Sequence, residues 1–274
     1  MHFTSNPASD YPSADLVDIL NRGFEGYFVP ITFHVTSFLN MVRKDGIDLT
    51  ASRILLKDEK PIGIALLARR GWTSRLAAMG VAKECRGMGA GSWFMEGLIH
   101  EARPRGEREM LLEVIERNVP AVHLYQKCGF EIIRRLIGLV RKGAVEHGSG
   151  ELQEVDIRRV GSLISQHGLP DLPWQLSGES IAQIHPPSRA YCKGQAYVVI
   201  SNPEAKDVVI WSVLVETSAR GKGLGVDMLK SVIAQHPNKN WHVPALMPEE
   251  LGNIYERASF VREELSQWQM RLTL

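Results

Sequence analysis

Arg86-Gly87-Met88-Gly89-Ala90-Gly91 is the stretch whose reading settles the fold, because the chain writes it twice. It returns in the second half as Arg220-Gly221-Lys222-Gly223-Leu224-Gly225. An internal repeat of this kind organises everything around it. Ahead of each copy runs an apolar segment, Leu76-Ala77-Ala78-Met79-Gly80-Val81 in one and Val208-Val209-Ile210-Trp211-Ser212-Val213-Leu214-Val215 in the other. Short apolar runs closed by polar and glycine residues read as buried strands. Behind each copy the apolar residues fall at helical spacing: Ala90, Phe94 and Leu98, then Leu224, Met228 and Val232. Such a stripe packs a helix against a sheet. The pattern is strand, glycine-rich turn, helix, twice over.

A second feature repeats at a similar distance from each turn. Leu124-Tyr125-Gln126-Lys127-Cys128-Gly129-Phe130 is matched by Ile254-Tyr255-Glu256-Arg257-Ala258-Ser259-Phe260. Between the halves, Gly143-Ala144-Val145-Glu146-His147-Gly148-Ser149-Gly150 has the composition of a linker. Two domains are therefore expected, residues 1–146 and 147–274, which the chain length also favours. In the first half, Ser13 is placed to cap a helix carrying Leu16, Val17, Ile19 and Leu20. A second helix is predicted over Thr36 to Lys44, with strands at Arg53–Lys57 and Ile62–Arg70 joined by Asp58-Glu59-Lys60-Pro61. A helix at 89–102, a strand at Met110–Val114 and a helix at 119–127 follow. The fold class is α/β, two tandem domains, each a mixed central sheet flanked by helices.

The turn has a physical use. Glycines admit positive φ and let a ligand approach without a Cβ in the way. Free N–H groups at a helix start, at the positive end of its dipole, favour phosphate oxygens. Arg86 or Arg220 would add a charge-assisted contact. Neither copy ends in the Gly-Lys-Ser/Thr of a P-loop, and a dinucleotide fingerprint would follow its strand directly. A purely structural turn explains one copy about as well. Two copies in matching context favour a ligand, and a pyrophosphate suits it.

Together with Asn118-Val119-Pro120-Ala121-Val122-His123-Leu124-Tyr125-Gln126-Lys127-Cys128-Gly129-Phe130, the strand, R-x-x-G-x-G and helix resemble the GNAT superfamily of acyl-CoA-dependent N-acyltransferases. The likeness is good from Leu76 to Phe130, and weaker in the second half. The tandem layout is similar to that of mycothiol synthase and related double-domain bacterial proteins. The resemblance implies that the backbone of Met79, Gly80 and Val81 bonds the pantetheine arm of acetyl-CoA. It implies pyrophosphate contacts from Arg86, Gly87, Met88, Gly89, Ala90, Gly91 and Ser92. Asn118 would then contact the cofactor near its thioester, and Tyr125 would protonate the departing thiolate. In the second half the same logic points to Val213 and Val215 on the strand and to Arg220, Gly221, Lys222, Gly223, Leu224 and Gly225 in the turn.

Tyr125 makes chemical sense in that role, since a neutral phenol with a reference pKa near ~10 can give a proton to a leaving thiolate. The alternative is an aromatic packed under a helix. Glu113 stands in the apolar strand Met110-Leu111-Leu112-Glu113-Val114, where a carboxylate requires a partner. Its spacing resembles that of the ribosomal-protein alanine acetyltransferases, whose matching glutamate is proposed as general base. A structural salt bridge is the equal alternative. The second half keeps the phosphate turn but has Pro248, Ser259 and Val243 where the first has Asn118, Gly129 and Glu113. Catalysis is therefore expected in the first half. The segment Phe24-Glu25-Gly26-Tyr27-Phe28-Val29-Pro30, between the first two helices, either shapes an acceptor pocket or forms a hydrophobic plug.

Charge sets the outer limits. With 32 basic against 31 acidic side chains, net +1, no wholesale neutralisation of nucleic acid is indicated. No metal-ligand spacing is visible among the nine histidines, so no metal is expected. Cys85, Cys128 and Cys192 make a poor disulfide framework, and neither a secretory signal nor a membrane span is visible. A cytoplasmic enzyme is expected, moving acetyl from acetyl-CoA to a primary amine of a small molecule or peptide. The rival is a non-catalytic acyl-CoA-binding regulatory or sensor protein.

Overall fold

The computed structural model describes residues 2–143 and 151–274, so all but the first residue of the expected linker lies outside the described residues. The chain packs as two compact units: residues up to Ile133 together with Trp268–Leu274, and Arg134–Gln267.

The first unit opens with β1 (Phe3–Pro7), α1 (Ser13–Gly23) and α2 (Val35–Asp45). There follow β2 (Arg53–Lys57), β3 (Lys60–Arg70), β4 (Thr73–Val81), α3 (Ala90–Ala102), β5 (Glu109–Ile115) and α4 (Val119–Lys127). The helices and strands read from periodicity are present, with β1 added. On α1 the stripe Leu16, Val17, Ile19 and Leu20 is buried as its spacing requires. Ser13, however, is the first helical residue rather than the cap: Pro12 takes the cap position and no side chain bonds there. β3 is buried continuously from Ile62 to Ala68, the mark of a strand covered on both faces.

The second unit contains β6 (Glu131–Arg141) from Arg134 onward, β7 (Gln153–Val155), α5 (Ile157–His167), α6 (Gly178–Ala182), β8 (Arg189–Lys193) and β9 (Ala196–Ile200). It continues through β10 (Asp207–Val215), α7 (Leu224–Gln235), β11 (Asn240–Pro248) and α8 (Gly252–Glu256) into β12 (Val261–Thr273).

The units do not follow a cut at residue 146. In the first, the strand order is β1-β2-β3-β4-β5-β12, so the end of the chain completes the sheet. Met270 and Leu272 are buried in the same core as Phe94, Leu112 and Tyr125, and the Leu274 N–H donates to the Arg108 carbonyl at 2.9 Å. In the second the order is β6-β11-β10-β9-β8-β7, with β6 antiparallel to β11 from Trp241↔Arg141 to Pro248↔Leu136. Each sheet thus borrows a strand from the other half of the sequence.

Candidate active site

Where two parallel strands part, the backbone of one is left without a partner. β4 and β5 are paired only from Thr73↔Glu109 to Leu76↔Leu112, so Ala77–Val81 have no partner in β5. A bulge at Ala77, between Leu66↔Ala78 and Leu67↔Leu76, bends β4 at the point of parting. β10 and β11 repeat the device: pairing stops at Val209↔His242, and the bulge falls on Trp211. Ala77 and Trp211 each stand nine residues ahead of their turn arginine. The opened edge of β4 carries Met79, Gly80 and Val81, whose backbone groups are the ones an amide-bearing arm would bond. Gly80 is glycine for a further reason: a Cβ there would stand 2.9 Å from the Cα and carbonyl carbon of Gly23, where α1 ends against the strand.

The two turns have one geometry. Gly87 and Gly89 have φ of 75° and 79°, and Gly221 and Gly223 both have φ of 79°. A Cβ at any of these four would meet nothing within 4 Å, so backbone conformation, not packing, dictates glycine, and the space outside is open. Gly89 and Gly223 cap α3 and α7 without a side-chain bond. The helix N–H groups therefore face that space with no protein cap, which fits a pyrophosphate.

The arginines of the motif bond the protein's own backbone. The Arg86 guanidinium donates to the carbonyls of Val81 (2.9 Å), Gly23 (2.9 Å) and Glu25 (3.1 Å), and its own N–H to Lys83. Arg220 likewise donates to the carbonyls of Val215 and His167. Each pins the strand end and turn to the end of the unit's first long helix. These bonds use Nε and Nη2 of each guanidinium and give both arginines a structural role beside the phosphate contact expected of them. Lys222 is exposed in the second turn and Met88 in the first.

Asn118 caps α4, its Oδ1 accepting the Ala121 N–H at 3.4 Å. Tyr125 follows two turns later on this helix, buried edge-to-face against Phe130 at 5.9 Å. Burial pushes its phenol well above the ordinary value, with the Tyr27 and Cys128 side chains adding to the effect. Tyr125 thus stays neutral at any working pH, the form a proton donor requires.

Glu113 is the first residue of β5 beyond the last pair with β4. Leu112 and Val114 point into the core that holds Tyr125, so Glu113 points to the opposite face of the strand. There its Oε2 meets Arg75 Nε at 2.8 Å, with side-chain exposures of 2% and 5%, and Asp45 on α2 lies 3.7 Å from Arg75. The salt bridge weighed for Glu113 is present. Its Oε1 is buried without a hydrogen-bond partner.

The segment after α1 is an aromatic cluster. Tyr27 packs edge-on against Phe24 at 5.0 Å and Phe28 at 5.7 Å, and Phe24 against Phe33 at 6.0 Å. Sequence reasoning left its role open and did not single out Tyr27. Phe28, Ile31, Val35 and Leu39 form an exposed apolar run from this loop onto α2.

The second unit differs in detail. Beside its turn lies a cavity of about 310 Å³, lined by Val213, Val215, Gly221, Gly223, Trp211 and Met247 among others. Tyr255 is buried like Tyr125, but its hydroxyl has no partner, and burial raises its pKa. By sheet register Pro244 rather than Val243 stands at the place of Glu113, since Thr73 pairs with Glu109 and Asp207 with Asn240; Val243 packs into the core with Tyr255, and α8 has five residues against nine in α4. Ser259 holds φ at 65°, copying the left-handed Gly129 at 92°. Among the described residues no cluster of histidine, cysteine or carboxylate side chains is arranged to hold a metal, and no helix is long and apolar enough to cross a membrane.

Comparison with known proteins agrees with this geometry. Residues 14–130 match the family model of the acetyltransferase (GNAT) family. No curated protein matches the chain. Among solved structures, a GCN5-related N-acetyltransferase from Sphaerobacter thermophilus superposes with TM-score 0.71 at 15% identity, covering 99% of this chain and 95% of the other. A putative acetyltransferase from Pyrococcus horikoshii gives 0.66 at 12% identity, covering 100% and 89%. A tandem GNAT protein from the clavulanic acid biosynthesis pathway gives 0.64 at 13% identity, covering 99% and 98%. At these identities the likeness is one of fold. The match to the acetyltransferase (GNAT) family model is thus confined to residues 14–130, and over its whole length the chain is similar in fold to GNAT structures, a tandem one among them.

Proposed function

We propose that the protein is an acetyl-CoA-dependent N-acetyltransferase, with the chemistry in the first unit and an amine of a small molecule or peptide as acceptor. One observation carries this reading: the neutral, buried phenol of Tyr125 stands two turns from Asn118 on α4, with the carboxylate of Glu113 where β5 leaves β4. Acetyl-CoA would lie along the opened edge of β4, bonded by the backbone of Met79, Gly80 and Val81, with its pyrophosphate on the turn Gly87–Gly91. The amine nitrogen attacks the thioester carbon. Its surplus proton passes to Glu113 Oε1, while Oε2 remains with Arg75. The carbon–sulfur bond breaks, and the thiolate takes the Tyr125 proton.

The second unit supports a different assignment. Its cavity and turn suit an acyl-CoA, but Pro248 and Pro244 offer no amide or carboxylate. We assign it acyl-CoA holding without turnover, the part of the binding-protein reading that remains useful.

Release of free CoA thiol with a panel of amines, measured for Tyr125→Phe and Tyr255→Phe, tests the division. Tyr125→Phe loses about 10²–10⁴-fold in kcat with acetyl-CoA affinity kept, while Tyr255→Phe keeps its turnover. If only the Tyr255 variant loses activity, the catalytic unit is the other one. If no amine releases thiol, the sensor reading stands.

A further inference from the structure

Two residues make the open strand edge of the second unit roomier than that of the first. Arg86 bonds Val81 and the helix end at Gly23, and Arg220 bonds Val215 and the helix end at His167. Counting back from the bonded valines, Leu214 stands at the place of Gly80 and Val213 at that of Met79. In the first unit α1 meets β4 backbone to backbone, since a Cβ on Gly80 would lie 2.9 Å from Gly23. In the second unit Leu214 is buried with Val160 and Ile164 of α5, so a whole side chain spaces that helix from β10. Met79 also reaches across to α3, its Cε 3.7 Å from where a Cβ on Gly91 would stand. Val213 is the shorter side chain and leaves more of that space open.

The space so opened is the cavity of about 310 Å³. Leu169, Leu172 and Leu176 wall it on the side after α5, with Trp211 on β10, Met247 on β11 and Ile254 on α8. Gly221 and Gly223 line it too, so it is continuous with the turn whose free N–H groups suit a pyrophosphate. Among the described residues, the charged side chains on its wall are Arg220 and Arg257, both cationic. An amine acceptor, itself a cation in water, would meet hydrocarbon and two guanidiniums there. A hydrocarbon chain meets its like. A dry apolar cavity of ~150 Å³ already admits benzene, so this one has room for more than an acetyl group beside the thioester.

We infer that the second unit is selective for a medium-chain acyl-CoA, with the pyrophosphate on Gly221–Gly225 and a saturated acyl chain among Leu169, Leu172, Trp211 and Met247. The inference rests on the proposed holding of acyl-CoA by this unit and adds the class of acyl group. No bond is made or broken there. The turn, common to both units, captures CoA, and the wall chooses the acyl group.

Calorimetry on the full chain with CoA, acetyl-CoA and octanoyl-CoA tests it. Each buried methylene strengthens binding by about fourfold, so octanoyl-CoA should fill one site at least ~100-fold more tightly than acetyl-CoA does. The preference should survive Gly89→Val, which obstructs the first turn, and vanish in Leu169→Asp, which puts a carboxylate on the wall. CoA, having no acyl chain, is the control: the loss in Leu169→Asp should appear with octanoyl-CoA and not with CoA, at an unchanged Tm. Val213→Met, which gives the second unit the side chain of the first, should cut the preference at least ~10-fold and carries the test if Leu169→Asp fails to fold. Equal affinity for octanoyl-CoA and acetyl-CoA overturns the inference and leaves the holding of acyl-CoA in place. A preference lost in Gly89→Val but kept in Leu169→Asp belongs to the first unit and overturns it too. Octanoate binding as tightly as octanoyl-CoA makes the cavity a fatty-acid site, with the same result. If Gly223→Val, strained at a φ of 79°, changes the binding of neither thioester, the second turn holds no CoA and the holding reading falls with the inference.

Discussion

Glu113 and Arg75 share a bond of 2.8 Å almost out of reach of water. Removing one partner from such a pair costs about 3–5 kcal/mol, because the other charge stays buried, while replacing both by apolar groups is close to neutral. This asymmetry separates a base from a strut. Glu113→Gln should lose turnover and stability together, which decides nothing by itself. Arg75→Met with Glu113→Leu, and Asp45→Asn to neutralise the second carboxylate beside Arg75, should recover most of the stability yet remain inactive, measured by thermal melt and thiol release. A stable and active triple variant would make the pair a strut only. The sequence showed that a carboxylate between Leu112 and Val114 required a partner, because the cost of burying it alone is general. It did not show that the partner is Arg75, since that pairing arises only when β4 and β5 lie side by side.

At the scale of elements, strand, turn and helix were legible twice over because each is encoded locally: periodicity for the helices, positive φ for the glycines. What the motif arginine does was not. Guanidinium next to a phosphate turn suggests a phosphate ligand, but Arg86 faces three carbonyls of the protein and fastens the loop after α1 to the end of β4. The bulges at Ala77 and Trp211 were equally hidden, since a bulge exists only relative to a neighbouring strand. From the bonds of this arginine to the loop an effect on the acceptor follows. The ammonium of Arg86→Lys lacks the planar fork that reaches the Val81 carbonyl from Nε and those of Gly23 and Glu25 from Nη2, so the loop bearing Tyr27 and Phe28 loosens. The acceptor KM should rise by about tenfold, the equivalent of ~1.4 kcal/mol, with acetyl-CoA affinity changed little. Were Arg86 a phosphate ligand instead, calorimetry would show acetyl-CoA binding weakened and more salt-sensitive in the wild type than in the variant.

For the whole molecule, the repeat announced two domains, and the glycine-rich segment around residue 147 suggested where to cut. The compact units are composed otherwise, because sheet completion is a matter of non-local pairing that neither motif nor composition records. Trp268–Leu274 belongs with the first unit and Arg134–Arg141 with the second. A fragment ending at residue 146 would therefore lack the strand beside β5 and leave exposed the apolar surface that Met270 and Leu272 cover. Each large apolar side chain withdrawn from a core costs about 2–5 kcal/mol, and a domain's net stability is about 5–15 kcal/mol. Losing Met270, Leu272 and the ladder together should leave that fragment aggregated or molten, with an unprotected β5 in hydrogen exchange. The same argument applies to the full chain truncated after Gln267, which should lose protection in β5 and bind acetyl-CoA poorly at its first turn while β9 and β10 stay protected. A fragment of residues 1–133 carrying Trp268–Leu274 on an appended flexible linker should regain cooperative melting. If the fragment ending at 146 melts cooperatively and exchanges slowly at β5 without those seven residues, the last strand is dispensable to the first core, and the strand exchange carries no share of its stability.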